Sequence, residues 1–194
     1  MRIIAGSAKG RRLFPVPGDS TRPITDRAKE ALFGKLHAWL PGRTVLDLFG
    51  GTGAVGLEAL SRGAVKATFV DSNARAISAM RRNGRRCGLF PQMELVRADS
   101  FRYLTRPDIG PFDFVFIAPP QFKDMWIQAL MAVDERPELL TAESIVVVQI
   151  DPKERRDRPL QHIISLDERK YGNVLLRYYK LRRHSASTFP APAT

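Results

Sequence analysis

The chain has 194 residues, 44% apolar and 26% charged, which excludes a disordered protein and suits one domain of ordinary size. Its 31 lysines and arginines against 20 acids give a formal charge of +11, so a polyanionic partner enters at once. One cysteine excludes an internal disulfide and fits a reducing cytosol, while the longest apolar runs, such as Ile145–Val148, fall far short of a membrane span.

The N-terminus, M-R-I-I-A-G-S-A-K-G-R-R-L-F-P-V, lacks the long apolar segment of a secretory signal. It reads as a short hairpin, two apolar runs flanking a turn with Gly6 and Gly10. Thr25 precedes a helical pattern through Ala28, Leu32, Leu36 and Trp39, which Pro41-Gly42 stops. T-V-L-D-L-F is a buried strand, followed by a helix over 53–62 that Gly63 ends. A-T-F-V-D is the second strand. Residues 73–88 form a helix with Ile77, Met80 and Cys87 on one side and Arg75, Arg82, Arg85 and Arg86 on the other. M-E-L-V-R and F-D-F-V-F-I are the third and fourth strands, 123–133 is a helix, and S-I-V-V-V-Q-I is the fifth strand. Gln161–Leu166 and Val174–Tyr179 are closely spaced and read as antiparallel strands, and 185–194 is a low-complexity, loose tail. Strands alternating with helices, most of them apolar throughout, predict an α/β fold with a mainly parallel sheet covered on both faces.

The positive charges cluster. Arg2, Lys9, Arg11, Arg12, Arg22, Arg27, Lys29 and Lys35 fall within the first 35 residues, and 75–86 holds five arginines with no acid among them. A generally basic surface needs no such grouping, whereas a nucleic acid does. His37, His162 and His184 are scattered, and with one cysteine they form no metal-ligand cluster.

The first strand runs into D-L-F-G-G-T-G-A-V-G, in which Gly51, Gly53 and Gly56 match the dinucleotide fingerprint and Asp71 stands near the expected ribose-binding acid. Asp47 argues against a pyrophosphate, because a carboxylate just before the turn repels it. An acid there suits a positively charged cofactor such as the sulfonium S-adenosyl-L-methionine. Asp71 then accepts both ribose hydroxyls, and Asp99 accepts from the adenine amino group or positions a backbone donor. A plainer reading makes Asp71 and Asp99 helix caps and the glycines a tight turn.

The fourth strand ends at Ala118-Pro119-Pro120-Gln121-Phe122. Prolines cannot donate to a ladder, so the strand stops there, at the kind of edge where α/β sheets bind ligands. The stretch resembles the motif of the amino-methyltransferases, an acid or amide, two prolines and an aromatic. Here the acid is absent and one residue separates the second proline from the aromatic. Three readings follow: an active site using backbone carbonyls at Ala118 and Pro119 with the Gln121 amide and a stacking Phe122, an RNA-binding or assembly protein with weakened chemistry, or a simple strand stop.

Together these residues resemble the class I methyltransferases and, more closely, the RsmD-type enzymes. The likeness runs from M-R-I-I-A-G-S-A-K-G-R-R-L through R-P-I-T-D-R-A-K-E-A-L-F, L-D-L-F-G-G-T-G-A-V-G-L-E-A-L-S-R-G-A and V-D-S-N to R-K-Y-G-N. It implies a Rossmann-like, seven-stranded sheet over 21–184 and an N-terminal hairpin extension over 1–20 that helps hold RNA. It also implies methylation of a guanine N2 in small-subunit (16S) ribosomal RNA. By the same resemblance Thr25, Asp47, Phe49, Gly50, Gly51, Gly53, Asp71, Ser72, Asp99 and Ser100 surround the cofactor, and Arg2, Lys9, Arg11, Arg12, Arg22, Arg27, Arg82 and Arg86 meet the RNA. A cytoplasmic monomer without a metal or a membrane anchor completes the expectation.

Overall fold

The computed structural model describes residues 1–18 and 24–182. In chain order the elements are α1 (Asp26–Leu36), β1 (Thr44–Asp47), α2 (Ala54–Ser61), β2 (Lys66–Asp71), α3 (Ala74–Cys87), β3 (Met93–Arg97), α4 (Ser100–Leu104), β4 (Phe112–Ile117), α5 (Met125–Asp134), β5 (Leu140–Ile150), β6 (Ile163–Tyr171) and β7 (Val174–Leu181). The seven strands form one sheet in the order β3-β2-β1-β4-β5-β7-β6. The first five are parallel, and β7 runs antiparallel to both β5 and β6. After β1 the chain builds outward to β3, then returns to add β4 on the other side. That reversal opens a crevice beyond the carboxyl ends of β1 and β4, the usual ligand position in such sheets.

β4 shows why the fold is two-sided. All six of its residues are buried, with Phe114 and Phe116 in one apolar cluster and Val115 and Ile117 in the other. Alternation across a sheet covered on both faces makes the strand read as one continuous apolar run. Each of these side chains contributes about 1.5–3 kcal/mol through burial.

The N-terminal arm, 1–18, belongs to that core. Ile3, Ala8 and Leu13 pack in the same cluster as Leu32 and Leu57. The arm closes as a short hairpin apart from the sheet: Arg2 and Arg12 make an antiparallel bridge, the Leu13 N–H donates to the Met1 carbonyl at 3.1 Å and the Ile3 N–H to the Arg11 carbonyl at 3.0 Å. Amides in the turn region reach α2. Ile4 and Ala5 donate to the Glu58 carboxylate at 2.7 and 3.0 Å, and Ala8 donates to the Ser61 hydroxyl at 2.9 Å. Approach is so close that a Cβ on Gly6 would meet the Ser61 carbonyl oxygen at 1.7 Å, so only glycine fits. Glu58 is fully buried, 2.8 Å from Arg62 and 3.4 Å from Lys29, whose ammonium also donates to the Arg2 carbonyl. A buried carboxylate is tolerable when its oxygens are this well used.

Several boundaries depart from expectation. α1 ends at Leu36, and Trp39 instead packs its ring beneath the Arg43 guanidinium at 5.0 Å. β5 begins at Leu140, because the Ser144 hydroxyl accepts from the Thr141 N–H and donates to the Phe112 carbonyl, holding 141–144 extended. β6 extends to Tyr171 on the sheet edge, where its polar residues face water and hide the strand pattern. The five-residue α4 is too short for periodicity to announce it. Cys87 is half-buried at the rim of its cluster, not inside it. No helix among the described residues is long and apolar enough to cross a membrane. Arg22 and the tail over 185–194 lie outside the described residues.

Candidate active site

A cavity of about 570 Å³ occupies the crevice at the reversal point. Asp47 closes β1 at its floor, 2% exposed, with Oδ2 accepting from the Gly56 N–H at 3.1 Å. Gly56 lies in the first turn of α2, where a Cβ would strike the Phe69 ring at 2.3 Å. Glycine therefore lets helix and strand close up and brings that amide to Asp47. Burial pushes the Asp47 carboxyl up to about 7, against the opposing pull of this hydrogen bond.

Asp71 closes β2. Its Oδ2 accepts from the Gly51 N–H at 2.9 Å and its Oδ1 from the Asn73 N–H at 2.8 Å. Asn73, not Asp71, caps α3, so the capping reading fails for Asp71. For Asp99 it holds: the carboxylate accepts from the Arg102 N–H at 3.0 Å and caps α4. Both carboxylates keep lone pairs for a ligand, since each oxygen accepts more than one hydrogen bond. The Ser100 hydroxyl donates to the Leu48 carbonyl at 2.6 Å, and Phe49 meets Phe101 edge-on at 6.3 Å.

The cavity thus gathers Asp47, Phe49, Gly50, Gly51, Asp71, Ser72, Asp99 and Ser100, with Ala118, Pro119, Pro120 and Gln121 as a further part of its lining. Gly53 and Thr25 do not line it. Gly53 opens α2, and the Thr25 hydroxyl accepts from the Ala28 N–H at 3.2 Å to cap α1, while the neighbouring Ile24 lines the cavity. Phe122 also stands outside the lining, 66% exposed, with φ of 59° and its N–H donating to Glu154 at 2.8 Å. Lys123 and Gln149 line the cavity without being singled out by the sequence reading. For Gln149 the available signal is an amide interrupting the apolar run V-V-V-Q-I.

Among the described residues, three carboxyl groups and one ammonium line this space in a chain of charge +11. A pyrophosphate would meet the wrong sign. A nucleoside carrying a positive centre and free ribose hydroxyls suits the donor set, with Asp47 for the charge and Asp71 for the hydroxyls.

The basic surface is built separately. Arg82 and Arg86 of α3 lay their guanidinium groups over the Phe14 ring at 4.2 and 5.2 Å. Between them, Asn83 is fully buried, accepts from the Phe14 N–H and donates to the carbonyls of Phe14 and Thr52. One side chain so joins the arm, α3 and the glycine loop. Lys9, Arg11, Arg12 and Arg27 are exposed, and Arg2 pairs with Asp26 at 3.4 Å.

A seven-stranded sheet with β7 reversed, and a carboxylate-lined cavity over a glycine loop at its reversal point, define a class I methyltransferase fold. The family described as Conserved hypothetical protein 95 matches residues 1–180. The chain belongs to this family, that of the RsmD-type methyltransferases. It is 32% identical over 186 residues to Ribosomal RNA small subunit methyltransferase D of Haemophilus influenzae, covering 93% of each chain. It is 33% identical over 150 residues to the Escherichia coli K12 protein of that name, covering 77% of this chain and 74% of the other. The solved structure of the Escherichia coli protein yhhF superposes with a TM-score of 0.82 at 28% identity, over 93% of this chain and 97% of that one.

Proposed function

We propose that the protein transfers a methyl group from S-adenosylmethionine to the exocyclic N2 of a guanine in small-subunit (16S) ribosomal RNA. The observation that carries this reading is the acid-lined cavity at the reversal point, with the Ala118–Gln121 turn in its lining. Relatives named ribosomal RNA small subunit methyltransferase D support ribosomal RNA as the substrate. When bound, S-adenosylmethionine supplies a methyl on a sulfonium: the amine lone pair takes the carbon, the S–C electron pair stays on sulfur, and one N–H proton leaves.

Asp47 holds the positive end of the cofactor, Asp71 takes the ribose hydroxyls and Asp99 the adenine amino group. Backbone carbonyls at Ala118 and Pro119 accept from the target amine, whose lone pair is otherwise delocalised into the ring. Phe122, exposed beside the cavity, offers its ring to the unstacked base. Arg82, Arg86, Arg11, Arg12 and Lys9 hold the phosphates of RNA, naked or in a partly assembled small subunit, and the protein works as a cytoplasmic monomer.

The test is labelled-methyl transfer to small subunits from cells lacking this gene, followed by mapping of the product. Label on one guanine N2 is the expected result. The second reading, an assembly protein without chemistry, is favoured by one observation: Ala118 stands where related amine methyltransferases carry an acid or amide. Protein that binds subunits and cofactor but transfers no label would establish it.

A further inference from the structure

The side-chain acceptor missing at position 118 has a replacement one strand away. β4 and β5 pair in parallel with Phe116 opposite Val147 and Ile117 opposite Val148. The same register carried one residue further sets Ala118 beside Gln149. Paired residues in a sheet project to the same face. Phe116 and Val147 share one apolar cluster, Ile117 and Val148 share the other, and Ala118 packs against the first. Gln149 follows on that face and lines the cavity.

Gln149 is 8% exposed, and its Oε1 is buried without a hydrogen-bond partner among the described residues. Native proteins seldom keep such an oxygen, because burying it forfeits its bond to water and gains nothing in the fold. An unpaired acceptor in the lining of a ligand cavity has a use when a donor arrives. Alanine at 118 leaves the shared face open to the longer side chain, whereas an acid or amide there would stand beside it. Gln121 is a weaker source. It is half-exposed and precedes two non-glycine residues at positive φ, Phe122 and Asp124, while Gln149 is held in a paired strand.

We propose that Gln149 supplies the side-chain acceptor for the target amine, its Oε1 taking one amine hydrogen in the role an acid or amide at 118 would fill. The assignment rests on the amine-methylation reading above. Gln149 takes no proton. Its oxygen keeps the hydrogen bond while the nitrogen gains positive charge, and the departing proton passes to solvent.

Gln149→Met keeps the length of the side chain and removes the acceptor. Three quantities are read on the full chain: the thermal midpoint, S-adenosylmethionine affinity by calorimetry, and single-turnover methyl transfer on unmodified small subunits. The midpoint is expected to stay or rise, because the lost oxygen bonds nothing among the described residues, and cofactor affinity to stay within about twofold. The transfer rate is expected to fall about 100-fold, as when one preorganised partner of a transition state is deleted. Adding Ala118→Asn to that variant should restore at least about tenfold of the loss, as the acceptor returns from the neighbouring strand. A variant that transfers at the wild-type rate overturns the assignment, as does a rate that falls only in step with a lowered midpoint. A double variant no faster than Gln149→Met overturns the exchange of roles between the two positions. Wild-type protein that binds cofactor and transfers nothing overturns the methylation reading itself.

Discussion

The cavity and the arginine face meet at Asn83 and Thr52 yet carry opposite charge. Asp47, Asp71 and Asp99 line one, and Arg82 and Arg86 over Phe14 make the other. The total of +11 describes the face and misdescribes the cavity. Exposed guanidinium groups act on a long anion through a field that salt screens within about 10 Å. The proposed contact of Asp47 lies in a buried place where salt hardly reaches. The two regions therefore answer to different perturbations, and each can be broken alone.

The largest separation is expected from Asp71→Ala. It removes the acceptor of the Gly51 and Asn73 amides along with the proposed ribose contact. Hydrogen bonds to a charged group contribute about 1.5–3 kcal/mol each, so cofactor affinity should fall about 100-fold by calorimetry. RNA affinity by filter binding should stay unchanged. An equal loss of both would mean that the glycine loop supports the arginine face as well, through Thr52 and Asn83.

Arg82→Glu with Arg86→Glu tests the opposite face. RNA affinity should drop about tenfold near physiological salt, and the slope of log affinity against log salt should shrink by roughly 1 to 2. Cofactor affinity should not move. An unaltered slope would place the RNA elsewhere.

The last effect is one of pH and needs no substitution to appear. The Asp47 carboxyl rises from 3.8 to about 7 because it is buried. Between those values the folded protein keeps a proton that the unfolded chain has already lost. Stability of the cofactor-free protein therefore declines as pH rises through this window, and the penalty is complete above about 7. Asp47→Asn should flatten that decline in thermal melts. A positive ligand favours the ionised carboxylate, so wild-type cofactor affinity should rise about tenfold between about pH 6 and pH 8. A pH-independent affinity would remove Asp47 from the charge contact.

What the sequence discloses about the site is what local chemistry fixes. Asp47, the glycine loop and Asp71 are legible because a strand, a tight turn and a helix follow one another within a few residues. Gln149 is not legible, because its meaning lies in the register of β5 against β4. Phe122 is legible in part: the two prolines mark it as the candidate base-stacking aromatic, whereas its φ of 59° and its exposed place at the cavity's side go with a hydrogen bond to Glu154, 32 residues away. The arm is legible in the same partial way. Two apolar runs around glycines signal the hairpin that Arg2 and Arg12 close, but nothing nearby says that the Ile4 and Ala5 amides bond the Glu58 side chain, 54 and 53 residues away. Fold class is indifferent to such contacts, since it depends on buried runs such as F-D-F-V-F-I more than on where each amide goes.

That borrowed bonding gives the arm its own clock. The amide hydrogens of Ile4, Ala5 and Ala8 end on the Glu58 and Ser61 side chains, outside any strand ladder. Their exchange with deuterated water is governed by how often the arm lifts from α2, whereas amides of β4 and β5 exchange only when the sheet itself opens. Three backbone positions thus record, in the unlabelled protein, the lifetime of the contact that holds part of the basic surface in place.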